Sequence, residues 1–219
     1  LAFSHCRYCA ASYALDSIFD RQGATVSARR ITMTASMSPT TDAPFFALFD
    51  TAIGCCGIAW GDAGIRGVQL PEASAQQTRD RLRERFPDGQ EAAPPADVQA
   101  VVAGVVAMLR GQAHDFSALV LDMRGVPEFH QRVYAVARNI APGQTLTYGE
   151  VAARLGEPGA ARAVGQALGR NPFAPVVPCH RVLAAGDQPG GFSASGGVRT
   201  KLRLLLIEGA MRGTPGLFD

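Results

Sequence analysis

Late in the chain, Cys179 stands directly before His180. Both lie in the run Asn171-Pro172-Phe173-Ala174-Pro175-Val176-Val177-Pro178-Cys179-His180-Arg181-Val182. The thiolate is the nucleophilic form of cysteine, and a nearby imidazole helps to generate it. Prolines fix the backbone on either side of an apolar stretch and then present the thiol. Neighbouring residues of a strand point to opposite faces. Cys179 and His180 can therefore cooperate only through a local turn or a bridging water. A base also needs an orienter, and the late acid Glu208 could provide it. On residue types alone a Cys-His pair remains open to a purely structural role.

The other cysteines offer less. Cys55 and Cys56 sit in a strand pattern and read as small core or half-buried side chains. Cys6 and Cys9, in His5-Cys6-Arg7-Tyr8-Cys9, would need a fourth ligand and a partner motif to hold zinc, and neither is visible. No metal is expected. Five cysteines without a disulfide spacing pattern point to a reducing, cytoplasmic compartment.

The elements that must position Cys179 can be read around it. Thr147-Tyr148-Gly149-Glu150 is a capping box that opens a helix with Tyr148, Val151, Ala152 and Leu155 on one face. After the turn Gly156-Glu157-Pro158-Gly159, a second helix over about 160–168 would bury Ala161, Val164 and Leu168. These are helix-turn-helix lengths. The outer face of the second helix carries Arg162, Gly165, Gln166 and Gly169, with Arg170 at its end. A glycine inside a helix costs roughly 1 kcal/mol relative to alanine, a cost more easily accepted where the backbone must approach something closely. A nucleic-acid groove and tight helix packing both satisfy that condition.

Upstream, Val126 opens another helical pattern with the stripe Phe129, Val133, Tyr134, Val136 and Ala137, broken by Pro142-Gly143. His130 lies within it and reads as a packed or surface side chain. Residues 44–71 read as strands, with Gly61-Asp62-Ala63-Gly64 as a turn and period-two alternation in Ile65–Leu70. Helices are expected over 74–86 and 96–110, and a strand near 118–122.

The chain has 219 residues, 47% of them hydrophobic and only 18% charged, which excludes a disordered or fibrous chain. The apolar stretch Ala100–Leu109 is far too short to cross a membrane. The net charge of +2 is unevenly distributed. Residues 38–123 carry six Arg against eleven acids, and residues 124–219 carry ten Arg and Lys201 against six acids. The basic C-terminal part suits a polyanionic partner. Lys201 is the only lysine, which at this level reads as a compositional bias towards arginine.

Pro178-Cys179-His180-Arg181-Val182 resembles the active-site signature of the O6-alkylguanine-DNA alkyltransferases, the methylated-DNA–protein-cysteine methyltransferases. Further segments match in family order and spacing: Thr147-Tyr148-Gly149-Glu150-Val151-Ala152, Ala161-Arg162-Ala163-Val164-Gly165, Asn171-Pro172, Gly190-Gly191-Phe192-Ser193, and Lys201 with Leu204-Leu205 and Glu208-Gly209. The close resemblance covers about 126–210.

It implies an α/β chain: a ribonuclease-H-like N-terminal αβ domain over 38–123, then a mostly helical domain over 124–212 with a DNA-binding helix-turn-helix. Residues 1–37 would be a dispensable extension, with Met33 or Met37 as a natural start, and 213–219 a tail. By the same resemblance, Cys179 is the irreversible methyl acceptor, His180 the base through a water, Glu208 its orienter, and Asn171 the holder of the turn. Arg162 would fill the space of a flipped base and Tyr148 would rotate the nucleotide's phosphate, with Gly165, Gln166 and Arg170 on the same DNA face. Val182, Phe192 and Ser193 would form the base pocket. The implied partner is double-stranded DNA containing O6-alkylguanine, with O4-methylthymine as a candidate second lesion, engaged by a monomer able to bind cooperatively, with no cofactor and no membrane. One departure stands out: many members carry Tyr where this chain has Phe192, followed here by a longer Ser193–Gly197 loop. Two rivals stay open, a lesion sensor without chemistry and a Cys-His hydrolase that turns over.

Overall fold

Strands β1 (Phe45–Thr51), β2 (Gly54–Gly61) and β3 (Gly64–Gln69) form an antiparallel meander. The structure is a computed structural model and describes residues 43–211. The expectations for 1–37, with its Cys6/Cys9 pair, and for 213–219 lie outside those residues. The expected Gly61–Gly64 turn joins β2 to β3, and a bulge at Ala59/Trp60 shifts their register. The two-residue β4 (Gln90–Glu91) adds to β1 in parallel, giving the order β3-β2-β1-β4.

Cys56 to Trp60 of the central β2 are buried throughout because both faces of the strand are covered. On one face, Leu82 of α1 (Ala75–Arg85) packs with Phe46 and Ala59. On the other, Val98, Val101, Val105 and Met108 of α2 (Ala96–Met108) join Cys56, Ile58 and Trp60 in the main core. The reading of Cys56 as a core residue and Cys55 as half-buried holds.

The expected strand near 118–122 is only an isolated bridge from Leu121 to Ile65 on the edge of β3. Pairing stops there because Asp122 turns the chain: its Oδ1 accepts from both the backbone N–H and Nε of Arg124, at 3.0 and 2.8 Å.

Helices α3 (Glu128–Arg138), α4 (Tyr148–Arg154), α5 (Ala161–Gly169) and α6 (Val198–Ile207) build the rest. Tyr134 of α3 is fully buried, donates to the Ala167 carbonyl of α5 at 2.9 Å, and meets Phe173 edge-on. The α3 stripe thus supports both α5 and the turn before Cys179. His130 packs half-buried against the Phe129 and Tyr134 rings. On α5, Val164 and Leu168 are buried as expected, together with Ala167, whereas Ala161 is only partly covered.

Two short strands missing from the sequence reading, β5 (Leu146–Thr147) and β6 (Val182–Leu183), pair in parallel. They tie the start of α4 to the residues just after Cys179. Among the described residues, no helix is long and apolar enough to cross a membrane.

Candidate active site

Cys179, His180 and Arg181 form one turn of 3-10 helix ending at β6. Three residues per turn separate successive side chains by about 120°, not the 180° of a strand. All three residues are buried. The local turn allowed by the sequence is therefore the arrangement found.

Asn171 builds the approach to it. Its Nδ2 donates to the Val177 carbonyl at 2.8 Å and its Oδ1 accepts from the Phe173 N–H at 2.9 Å, so one amide closes the loop over the prolines. Burial pushes the Cys179 thiol up, while a hydrogen bond from Asn171 and the charge of Lys201 pull it down. The thiol is thus shielded from water yet held by groups that favour its anion.

Helix α6 faces this turn with Lys201, Leu204 and Leu205, and Glu208 follows at its C-cap. Lys201 and Glu208 are seven residues apart, two helical turns along one face. Lys201 is completely buried, and its Nζ donates to the Val182 carbonyl at 2.6 Å. That carbonyl, of a residue the resemblance assigns to the base pocket, retains one lone pair. The same ammonium lies 5.7 Å from the Tyr148 ring centroid. Burial lowers its pKa to about 8, against the opposing pull of Cys179.

Glu208 is clamped by Arg181, with Oε2 accepting from Nε at 2.8 Å and Oε1 from Nη2 at 2.7 Å. Arg181 also donates to the Ile140 carbonyl. His180 Nε2 lies 3.1 Å from Glu208 Oε1, but neither ring nitrogen makes an aligned hydrogen bond with protein among the described residues. The carboxylate thus faces His180 electrostatically while Arg181 fixes its position. Burial lowers the pKa of His180, partly offset by Glu208, which favours a neutral imidazole. In the sequence Arg181 is one residue of the signature with no role of its own, and Lys201 reads as compositional bias. The signal available for both was a cation next to, or in phase with, a residue already singled out.

Burial pushes the Glu208 carboxyl up, but the hydrogen bonds from Arg181 and the proximity of His180 outweigh it and hold the pKa at about 2. Its contribution to stability is complete above the unfolded value of about 4.3 and is lost as pH falls towards the folded one. Glu208→Gln strands a buried guanidinium and is expected to cost about 3 kcal/mol. Calorimetry should show a lower Tm for the variant at neutral pH, with the gap closing in acid. A gap that is constant with pH would place the effect elsewhere.

Two cavities meet at Cys179. One, of about 560 Å³, is lined by Tyr148 of α4 and by Arg162, Gly165 and Gln166 of α5, with Cys179, Phe192 and Ser193 opposite. The other, of about 260 Å³, is lined by Arg170, Asn171, Cys179, Phe192 and Ser193, and reaches Val68 to Leu70 and Arg85 of the sheet part. Val182 and Glu208 line neither. Arg162, Gln166, Gly169 and Arg170 are exposed. A Cβ built at Gly165 would come no closer than 3.8 Å to Tyr148, and one at Gly169 would meet nothing within 4 Å. Packing among the described residues does not require these glycines. Among the described residues no group of three or more His, Cys, Asp or Glu could hold a metal.

The family model described as 6-O-methylguanine DNA methyltransferase, DNA binding domain, matches residues 128–210. A methylated-DNA–protein-cysteine methyltransferase of Methanothermobacter thermautotrophicus is 39% identical over 153 residues, covering 70% of this chain and 78% of that protein. The protein of the same name from Mycobacterium tuberculosis is 42% identical over 159 residues, covering 73% and 88%. A crystal structure of Mycobacterium tuberculosis OGT in complex with DNA superposes with a TM-score of 0.62 at 32% identity, over 80% of this chain and 99% of that one. The mixed α/β fold, a sheet followed by a helical part, is shared with these structures. The similarity runs through the sheet part as well as the cysteine turn, and on that extent this chain belongs to the methylated-DNA–protein-cysteine methyltransferase family.

Proposed function

We propose that this protein repairs DNA by moving the methyl group of O6-methylguanine onto its own Cys179, once per molecule. The observation that carries the reading is the cavity shared by Cys179 and the outer face of α5, which gives a buried thiol an opening on the side a duplex would occupy. The Cys179 thiolate attacks the methyl carbon in line, a C–S bond forms, and the bond to O6 breaks with its electron pair going to the base. Guanine takes up the proton that the thiol gave up. His180, neutral and adjacent, passes that proton by way of a water, and Glu208 sets its field. No organic cofactor or metal is needed, because the lesion carries the methyl.

O6 of a stacked guanine is out of reach of any side chain, so the base must be extruded at a cost of a few kcal/mol, which is lower for a poorly paired lesion. The α4–α5 pair is read as a helix-turn-helix whose glycine-bearing face lies against the duplex. Arg162 enters the stack, Tyr148 turns the phosphate, and Gln166 and Arg170 touch the backbone. Gly165 and Gly169, which packing among the described residues does not require to be glycine, support that close approach. Strands β1–β4 with α1 and α2 are read as the ribonuclease-H-like domain, and 124–212 as the DNA-binding and catalytic one. Contacts confined to the backbone bind with little sequence preference and weaken with salt. The free Cys55, Cys56 and Cys179 fit a reducing cytoplasm.

The test is to weigh the intact protein after incubation with methylated duplex. Gain of one CH2 per molecule, without turnover, is expected. Binding without gain would favour the sensor, and multiple turnovers the hydrolase.

Phe192 cannot donate to the departing guanine. It lines both cavities beside Cys179, where its ring can stack on the flipped base while Ser193 or a loop N–H donates. Phe192→Tyr is therefore expected to raise the single-turnover rate less than about tenfold, since one extra hydrogen bond is worth about 1 kcal/mol net. Phe192→Ala should lose more, because base–aromatic stacking is worth about 1–3 kcal/mol. A gain of a hundredfold or more for the Tyr variant would mean that the loop does not compensate.

A further inference from the structure

Pro172 follows Asn171, and its carbonyl accepts two hydrogen bonds from the other part of the molecule. The Val68 N–H of β3 donates at 2.9 Å and Arg85 Nη2 of α1 at 2.7 Å. Arg85 comes from the last turn of α1, and its guanidinium also lies over the Phe86 ring, 5.1 Å from the centroid. Space for it is left by Gly67, where a Cβ would sit 2.6 Å from Nη2. Burial lowers the Arg85 pKa to about 10, so the group remains a cation at neutral pH. It lines the smaller cavity together with Asn171 and Cys179.

These contacts form one chain of bonds. Asn171 is held from inside by Val177 and Phe173, and the adjoining Pro172 carbonyl is held from outside by Arg85 and Val68. The Val177 carbonyl that accepts from Asn171 Nδ2 also accepts from the Cys179 N–H at 2.8 Å, which ties Asn171 to the nucleophile's backbone. We propose that Arg85 is a positioning residue for the nucleophile: it clamps the Asn171-Pro172 turn across 87 residues of sequence, so that α1 and β3 set the orientation in which Asn171 meets Cys179. The proposal rests on Cys179 being the methyl acceptor. It gives the sheet part, which carries none of the reacting groups, a direct part in the reaction. A hydrogen bond to a charged donor is roughly twice as strong as a neutral one, and here it acts on the carbonyl of the residue directly after Asn171.

The experiment compares the wild-type protein with Arg85→Met, Arg85→Lys and Gly67→Ala. Met keeps the apolar stem without the donor, Lys restores one donor and the charge, and Ala pushes the guanidinium off its seat. Two quantities are read on each folded variant. The first is the single-turnover rate of methyl uptake from duplex. The second is the pH profile of Cys179 alkylation by iodoacetamide without DNA, followed on the Cys179 peptide. Arg85→Met and Gly67→Ala are expected to slow methyl uptake on the order of tenfold or more, as small displacements of a reacting group do. Their alkylation profiles should move to higher pH, duplex affinity should stay unchanged, and Arg85→Lys should recover part of both losses. Because Gly67→Ala retains Arg85, it decides the matter even if Arg85→Met does not fold. Wild-type rates and profiles in Gly67→Ala and in any folded Arg85 variant would overturn the proposal, as would a lower Tm with an unmoved profile. If the wild-type protein takes up no methyl, the repair reading fails, while the alkylation profiles still judge the clamp.

Discussion

Exchanging Cys179 for Ser is expected to abolish methyl transfer while leaving duplex binding intact. The side chains are nearly isosteric, and the turn is held by Asn171, Arg181 and Lys201 rather than by the sulfur. What changes is the nucleophile. Asn171 and Lys201 draw a thiol towards its anion against the cost of burial, but a hydroxyl begins so much higher that the same two groups cannot ionise it at neutral pH. Losing an activated nucleophile costs on the order of 10⁴-fold or more. Intact mass after incubation with methylated duplex should show no gain, and fluorescence anisotropy should give the wild-type affinity. The other described thiols cannot substitute. Burial drives Cys56 up to about 12, and burial together with the carboxylate of Asp50 raises Cys55. Peptide mapping that found the methyl on Cys55 or Cys56 would refute the assignment.

How much was legible depended on whether a signal is local. The capping box at Thr147 is local: Thr147 accepts from the Glu150 N–H at 3.1 Å, and Glu150 accepts from the Thr147 N–H at 2.6 Å, as the four residues alone suggest. The β2–β3 turn and the limits of α1 were readable for the same reason. The segment near 118–122 misled because a short apolar stretch looks alike whether it pairs along its length or at one residue, and only Asp122 and Arg124 decide. Strands β5 and β6 have two residues each, below any periodicity. The site divides in the same way. Cys179, His180 and Asn171 lie within ten residues and were visible together. Arg85, distant in sequence from Pro172, had no local pattern to mark it. Arg181 stood inside the motif, but its role depends on Glu208 arriving from the end of α6.

Lys201 illustrates what composition can hide. A chain that uses arginine at twenty of its twenty-one basic Lys or Arg positions keeps lysine at one, and that one is wholly buried. Bias towards arginine explains the twenty; it makes the exception informative. A guanidinium is planar and broad, with donors in a fixed fork, whereas an ammonium is compact and can aim one donor at a single carbonyl. Here it aims at the carbonyl of Val182, with that of Gly191 at 3.5 Å and the Tyr148 ring on another side, and its charge favours the Cys179 anion.

Lys201→Met should therefore slow methyl transfer by about 10²-fold at neutral pH, the cost of removing one preorganised electrostatic donor. The sign of the pH effect follows. Without the cation the thiol ionises only at higher pH, so the rising limb of the pH–rate profile moves to the alkaline side. In the wild-type protein the lysine's own proton is lost near pH 8, and the thiolate's support with it, so the rate should flatten there. Lys201→Arg keeps the charge but must fit a larger fork into a fully buried seat, and it should rescue little. Single-turnover rates between about pH 6 and pH 9, with Tm measured in parallel, check this. A Met variant with the wild-type rate and an unmoved rising limb would reduce Lys201 to packing.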